Sequence, residues 1–477
     1  IKMRLSEYSA ITRQQQKQNQ SISILSRKFE LRDAAKEAIE PFGYFNSKFK
    51  IKAEQKANST TFTAIITPGN PVKIHSTKIK ILGEGSNDPS FTAAIKNSAL
   101  RKGQILHTEK FKELNKLIAT ISMNKGYFDA QYLKKEIQIN RKKNTAKIII
   151  IYDTGKRYKF GDTTIKADYF NKKFLKKYFR YEKGQKYDNL KLQQAQQALI
   201  NSGYFSQAII TPNLPQKHSG EVPITATLIT GSKRKYKIGV GYSTDVGFNT
   251  ISKITDNYIS RNGHTVYSSI QLSEPSKNLT IGYTIPGAIP DREQYKITAG
   301  YTRIEQTTGS SNGKKLSAIF TYNKYKLKQY LSINALQENY DLSSLNIKAN
   351  SSLIYLTAGT SFGKEDNSLN PTNGYKIKAE FSGTINRLSN QSGFSQIIIG
   401  SNFIHTINKT NTRILARAEL GETNINNLSN LPLSLQLYVG GVDSIRGYNY
   451  NQIGPGKYSY TASIEIQQKI YNNIYAA

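Results

Sequence analysis

The chain changes rhythm near Gly231-Ser232-Lys233. Beyond that seam, apolar and polar residues alternate. From Tyr375 to Phe381 the odd positions are Tyr, Ile, Ala and Phe, while Lys376, Lys378 and Glu380 take the even ones. Leu279 to Ile285 repeats the pattern against Thr280, Gly282 and Thr284, and Leu316 to Tyr322 places Leu, Ala, Phe and Tyr on its even positions. A period of two is that of a strand with one apolar face. Roughly eleven to thirteen such segments, each about ten residues long, are separated by Gly, Asn, Ser and Pro. Strands of soluble sandwiches are usually shorter. Long strands, apolar on one face and charged or small on the other, fit a closed barrel with lipid outside and water inside, which leaves no backbone group unsatisfied in the membrane. A soluble β-domain is the alternative.

Before the seam, helical and extended periods mix, and a unit repeats. A helical stretch ends three times in an aromatic turn: Gly43-Tyr44-Phe45, Gly126-Tyr127-Phe128 and Gly203-Tyr204-Phe205. The glycines lie 83 and then 77 residues apart, a spacing of tandem small domains. Each Gly suits a left-handed helix cap, with the aromatic pair folding back on a core. The preceding helices show i, i+3/i+4 apolar spacing, as in Phe111, Leu114, Leu117, Ile118 and Ile121. Extended sequence follows each turn (Tyr132 to Ile139, Ala146 to Tyr152; Ile209-Ile210, Ile224 to Ile229) and precedes each helix pair (Ile74 to Leu82, Tyr158 to Ile165). The unit reads strand, helix, helix, strand, strand, and its first copy lacks a convincing opening strand. Such domains could be spacers. Their open sheet edges, however, recruit extended peptides by strand addition, and docking is the favoured use.

Composition narrows the classes. The longest apolar run, within Ala146 to Tyr152, is far short of the roughly 18 residues of a membrane helix, so any crossing of a bilayer must be made by strands. Cysteine is absent, which excludes thiolate chemistry, Cys-ligated metal and disulfides. The chain opens at Ile1 and ends at Ala477 just after a strand-like segment, so both ends read as incomplete. A net charge of +34 would suit nucleic acid or acidic lipid headgroups. The lysines are scattered, with only short pairs such as Lys172-Lys173, and general Lys, Asn and Ile enrichment accounts for them better. Nucleic acid is therefore not an expected partner. His75, His107, His218, His264 and His405 form no ligand-like spacing, so no metal or cofactor is expected. Gly309 to Lys315 has the glycines of a phosphate loop one residue too close and no Ser or Thr after the Lys; it reads as a hairpin loop. No nucleophile elbow or zinc-protease helix is present. The sequence is not that of an enzyme.

The most informative stretch is Gly440-Gly441-Val442-Asp443-Ser444-Ile445-Arg446-Gly447-Tyr448, in a long segment from about Gly421 to Lys457. Its glycines allow tight turns, and Arg446 presents a five-donor fork. Inside a barrel that fork needs a carboxylate. From Tyr458 to Ile466 the even residues are Tyr, Tyr, Ala, Ile and Ile, hence lipid-facing, and Ser459, Thr461, Ser463 and Glu465 face inward. Periodicity alone thus offers Glu465 to Arg446. The preceding strand points Arg417 and Glu419 the same way. A solvated surface loop with an incidental Arg is the other reading.

The pattern Gly-Gly-x-x-Ser-Ile-Arg-Gly-Tyr resembles the signature of the POTRA-plus-barrel superfamily that holds BamA, TamA and the two-partner secretion transporters. The resemblance implies that this loop folds back into the barrel, with Arg446 meeting Glu465 in the Ser463-Ile464-Glu465 pattern. Further stretches are similar to the TamA branch: Ala38 to Phe45, Ile66 to Val72, Leu82-Gly83-Glu84-Gly85, Gly126 to Ala130, Tyr152 to Tyr158 and Gly239 to Asp245. Three repeats also fit that branch. The implied organisation is POTRA domains over residues 1–72 (incomplete), 73–154 and 155–231, then an outer-membrane barrel over 232–477 with about 12 of an expected 16 strands. The implied location is the bacterial outer membrane with the amino-terminal domains in the periplasm. Implied partners are a TamB-like inner-membrane-anchored protein, unfolded outer-membrane protein clients, and the bilayer with its lipopolysaccharide. The implied mechanism is client insertion through a weak seam at the first barrel strand, Tyr236 to Ser243, where Gly239 and Gly241 beside Tyr242 give little to pack. BamA-like or two-partner transport and a passive porin are the rival readings.

Overall fold

In the computed structural model, residues 24–56, 59–213, 219–343, 346–367, 370–384, 393–471 and 474–476 are described here. Residues 1–23 of the expected first domain, His218 and Ala477 lie outside them. The chain divides into two compact units: one runs to Thr164 and includes Tyr181–Gln193 and Ile210–Thr225, the other holds Ile165–Arg180, Gln194–Ile209 and everything from Ala226 onward.

The first repeat contains α1 (Ile24–Ile39), a 3₁₀ turn and the hairpin β1 (Lys48–Lys56) and β2 (Ser59–Thr67). The second runs β3 (Lys73–Leu82), α2 (Pro89–Asn97), α3 (Thr108–Lys125), β4 (Gln131–Asn140) and β5 (Thr145–Asp153), with β5 central, parallel to β3 and antiparallel to β4. Asp88 caps α2 by accepting from the Ser90 amide at 3.0 Å, and Pro89 takes the first helical position, where no amide is needed. The third repeat is β6 (Lys159–Ala167), α4 (Lys172–Lys176), α5 (Asn189–Asn201), β7 (Phe205–Pro212) and β8 (Glu221–Thr230), its sheet ordered β6-β8-β7. In the second repeat the packed face is Ile74, Ile148 and Ile150 against Phe91, Leu114 and Ile118, all buried.

The repeated glycines are helix terminators. Gly43, Gly126 and Gly203 have φ of +94°, +84° and +76°. After α3 the Gly126 amide reaches Met123 O at 3.3 Å and Tyr127 N reaches Ser122 O at 2.9 Å, which satisfies carbonyls the helix leaves open. Tyr127, Tyr204 and Phe205 are buried, and Tyr44 is half-buried. Burial pushes the Tyr204 phenol up to about 12, so its hydroxyl stays protonated and donates to Gly263 O at 2.6 Å. Two more bonds hold the same unit together: an Arg180–Asp291 ion pair, and Lys177 Nζ on Gly287 O at 3.3 Å.

The remainder is one antiparallel sheet of thirteen strands. These are β9 (Arg234–Ser243), β10 (Gly247–Asp256), β11 (Thr265–Leu272), β12 (Ser276–Pro286), β13 (Glu293–Gln306), β14 (Gly309–Lys324), β15 (Leu327–Leu342), β16 (Ile347–Glu365), β17 (Gly374–Thr384), β18 (Ser395–Ile407), β19 (Thr412–Asn424), β22 (Tyr458–Tyr471) and β23 (Ile474–Ala476). The small pair β20 (Leu437–Val439) and β21 (Ile453–Gly456) stands apart between β19 and β22. Within the large sheet strands pair in chain order, β19 joining β22 across the small pair, with β10 beside β9 and β22 beside β23.

Register fixes the faces. Leu279 pairs with Tyr301, Ile333 with Leu356, and Phe381 with Ile397, and all six are exposed on the outside. A shift of one residue would turn all of them inward. On β9, Tyr236, Ile238, Val240 and Tyr242 are 65–85% exposed. In water this wall would oppose folding at about 25 cal/mol per Å²; against lipid it does not. Tyr236 and Tyr242 are about 20 Å apart at ~3.3 Å per residue, close to the height of a bilayer's apolar band.

Two expectations are corrected. β13, β14, β15 and β16 are 14, 16, 16 and 19 residues long, not about ten. Gly309 to Lys315 is not a hairpin loop but the start of β14, with Ser310 opposite Asp341. The hairpins continue because their inner side is covered. Leu336, Leu353 and Tyr355 pack with Leu431, and Tyr340 and Leu342 with Leu433, both from the segment between β19 and β22. That coverage replaces solvent over small residues which, read alone, suggest a turn.

Candidate functional site

The segment after β19 lies against the inner wall of the sheet through its own side chains. Asn427 caps a 3₁₀ turn by accepting from the Ser429 amide at 3.1 Å; a second turn, Leu433–Leu435, buries Leu433. At that turn the Ser434 amide donates to Glu338 Oε1 at 3.0 Å, and its hydroxyl bonds the other carboxylate oxygen. Glu338 is 1% exposed, so a buried carboxylate on β15 fixes the first half of the segment. Beside it runs a buried polar ladder across β14 to β17. Ser317 Oγ donates to Asn334 Oδ1 at 2.8 Å, Asn334 Nδ2 reaches Thr357 Oγ1 at 3.2 Å, and Thr357 and Ser382 share a bond of 2.9 Å. A polar inner wall leaves no donor or acceptor in this row unpaired.

The tip is a closed turn. The Gly440 amide donates to Ser444 Oγ at 2.7 Å and the Gly441 amide to Tyr448 O at 3.0 Å. Gly440, Gly441 and Gly447 have φ of +129°, +95° and +94°, a region that side chains rarely adopt. Ile445 is half-buried, while Arg446 and Tyr448 are exposed. Arg446 Nη2 stands 2.5 Å from Glu465 Oε2 on β22, and Gln467 Nε2 donates to the other oxygen, Oε1, at 2.5 Å. Ser463, two residues before Glu465, faces Arg417 in the β19–β22 register, and Arg417 Nη1 lies 3.6 Å from Asp443 Oδ1. Lys378 reaches Glu419 at 2.6 Å across Gly400. Arg417, Glu419, Lys378, Asp443, Ser444 and Ser463 line a cavity of about 440 Å³.

The residues expected from sequence are not all brought together. Gly440 to Tyr448, Ser463 and Glu465 form one constellation. Gly239, Gly241 and Tyr242 lie on β9, opposite Ile251, Asn249 and Phe248 of β10, and the Tyr242 and Phe248 rings meet edge to face at 5.0 Å. Gly43, Tyr44, Gly126, Tyr127, Gly203 and Tyr204 stay in the tandem domains. The sequence reading passed over two carboxylates. Glu338 is the lone acid on the inward positions of β15, a signal its alternation carried. Asp245 sits in the β9–β10 turn, where no periodicity places it, and its carboxylate reaches the Val442 amide at 3.0 Å. No cluster of His, Asp or Glu that could hold a metal occurs among the described residues.

A thirteen-stranded antiparallel sheet with an apolar outside and a polar inside, a loop seated on its inner wall, and α+β repeats before it define an outer-membrane β-barrel protein with periplasmic POTRA domains. The Omp85 superfamily domain matches residues 229–476, over half of the chain, and the protein belongs to that superfamily. Residues 1–68 match POTRA domain TamA domain 1, and residues 158–229 match the POTRA family described as surface antigen variable number repeat. Among solved structures, BamA from Haemophilus ducreyi lacking POTRA domains 1–3 is 16% identical, with 83% of this chain and 84% of that one covered and a TM-score of 0.67. CdiB from Escherichia coli is 14% identical over 98% of this chain and 84% of its own, with a TM-score of 0.47. Membership carries the superfamily's general role in inserting or secreting proteins at the outer membrane.

Proposed function

We propose that this protein inserts outer-membrane β-barrel polypeptides, autotransporters among them, through the edge of β9. In this reading its periplasmic domains dock a TamB-like partner anchored in the inner membrane. The observation that carries the reading is the loop tip, bound to the β9–β10 turn at one end of the sheet and to β22 near the other. A loop so placed can hold the two ends in relation and let them part. Strand addition at β9 would satisfy backbone groups and bury apolar faces in lipid, so the step needs no nucleotide and no enzymatic chemistry. The TamA-type first domain supports the choice of branch and, through it, of partner. A BamA-like or two-partner transporter shares the barrel logic and differs in what its soluble domains bind. A porin would use the lumen and leave the edge closed.

The test is reconstitution of the full-length protein in vesicles with an unfolded barrel client. Photo-crosslinkers along β9 should capture the client's terminal strand, and no such adduct should form along β15, in the middle of the wall. Client insertion with equal capture everywhere, or ion conductance without insertion, would remove the reading. Pull-down of a purified TamB-like periplasmic segment by the tandem domains, within the intact protein, tests the partner.

A further inference from the structure

We propose that Asp245 is a positioning residue that latches the first hairpin of the barrel to the tip of the inserted loop, so that release of the loop and loosening of β9 are one event. The inference rests on the edge-opening reading above and adds the residue that links loop to edge.

The geometry is specific. Asp245 Oδ2 accepts from the Val442 amide at 3.0 Å, while the Ser243 hydroxyl, at the last residue of β9, bonds Oδ1. Both carboxylate oxygens are therefore occupied, one by the strand end and one by the loop. The loop side is shaped for the contact. A Cβ on Gly441 would come to 2.7 Å from Asp245 Oδ2, and Gly441 has φ of +95°. The glycine of the signature is thus required twice, for its backbone conformation and for the approach of this carboxylate. The tip cannot stretch freely between its anchors, because the Gly440 amide on Ser444 Oγ and the Gly441 amide on Tyr448 O close it into one turn. Val442 is held by Asp245 and Arg446 by Glu465, so displacement at one anchor is passed to the other. Among the described residues β9 pairs with β10, and the latch ties that hairpin to the loop.

Hydrogen exchange on the full-length protein in vesicles reads this directly. In Asp245→Ala the amides from Gly239 to Tyr242 should exchange about tenfold faster or more, together with Val442, while those of β15 stay protected. Arg446→Ala should loosen the same β9 amides although it touches none of them. Glu338→Gln, at the loop's other anchor, should leave them protected. Unchanged β9 exchange in Asp245→Ala, with Val442 exposed, would overturn the latch. Should Asp245→Ala not reach the heat-modifiable folded form, Gly441→Ala serves instead, since it displaces the carboxylate from the loop side. Client insertion measured in parallel separates the two claims. Client insertion by the unsubstituted protein with unchanged β9 exchange in Asp245→Ala sinks the latch and spares the function; faster β9 exchange in Asp245→Ala with no client insertion by the unsubstituted protein does the reverse.

Discussion

Arg446 offers five donors and uses one short contact to Glu465, whose second oxygen is taken by Gln467. The guanidinium is more than half exposed, so its interaction with Glu465 is worth about 1 kcal/mol or less. A double-mutant cycle with Arg446→Ala and Glu465→Ala should return a non-zero interaction term of that order by chemical unfolding, and strict additivity would mean no pairing. Asp245 is held below its ordinary value by the Ser243 hydroxyl and then by the Val442 amide. A depressed folded pKa means that the contact is fully present above the ordinary carboxylate pKa and is lost as pH falls through the lower folded value. Protection of the Val442 amide, corrected for intrinsic exchange, should therefore persist at neutral pH and fall in acid below about 4, and Asp245→Asn should abolish that pH dependence. At this scale the sequence was half legible. Glu465 followed from a period of two, because its strand is regular. Asp245 did not, because a turn has no period and its partner is almost two hundred residues away.

Helix caps and strand faces set the next scale. Gly126 has φ of +84°, and a Cβ there would stand 2.7 Å from the Cβ of Tyr187. Gly126→Ala should lower the midpoint of unfolding of the tandem domains by about 1–3 kcal/mol equivalent, measured by denaturant titration of the full chain, and a neutral change would contradict the cap assignment. On the wall, Ile333 faces outward beside buried Ser332 and Asn334. Ile333→Arg should cost about 2–4 kcal/mol of barrel stability in lipid, whereas an Arg near the bilayer edge costs much less. The strands were readable because each carries its own alternation. Their lengths were not, since β15 and β16 are covered by Leu431 and Leu433, which lie far along the chain.

The whole molecule places a lipid-facing sheet after tandem POTRA domains, and its function depends on which surface meets lipid. The chain has no cysteine, so any single substitution is a unique label site. The decisive measurement is a scan of nitroxide-labelled single cysteines from Tyr458 to Tyr471 on β22 in proteoliposomes, recording accessibility to oxygen and to a water-soluble nickel reagent. Positions 458, 460, 464 and 466 should favour oxygen and positions 459, 461, 463 and 465 the nickel reagent, with a period of two. Uniform access of the nickel reagent, or a reversed phase that puts Glu465 against lipid, would contradict the account.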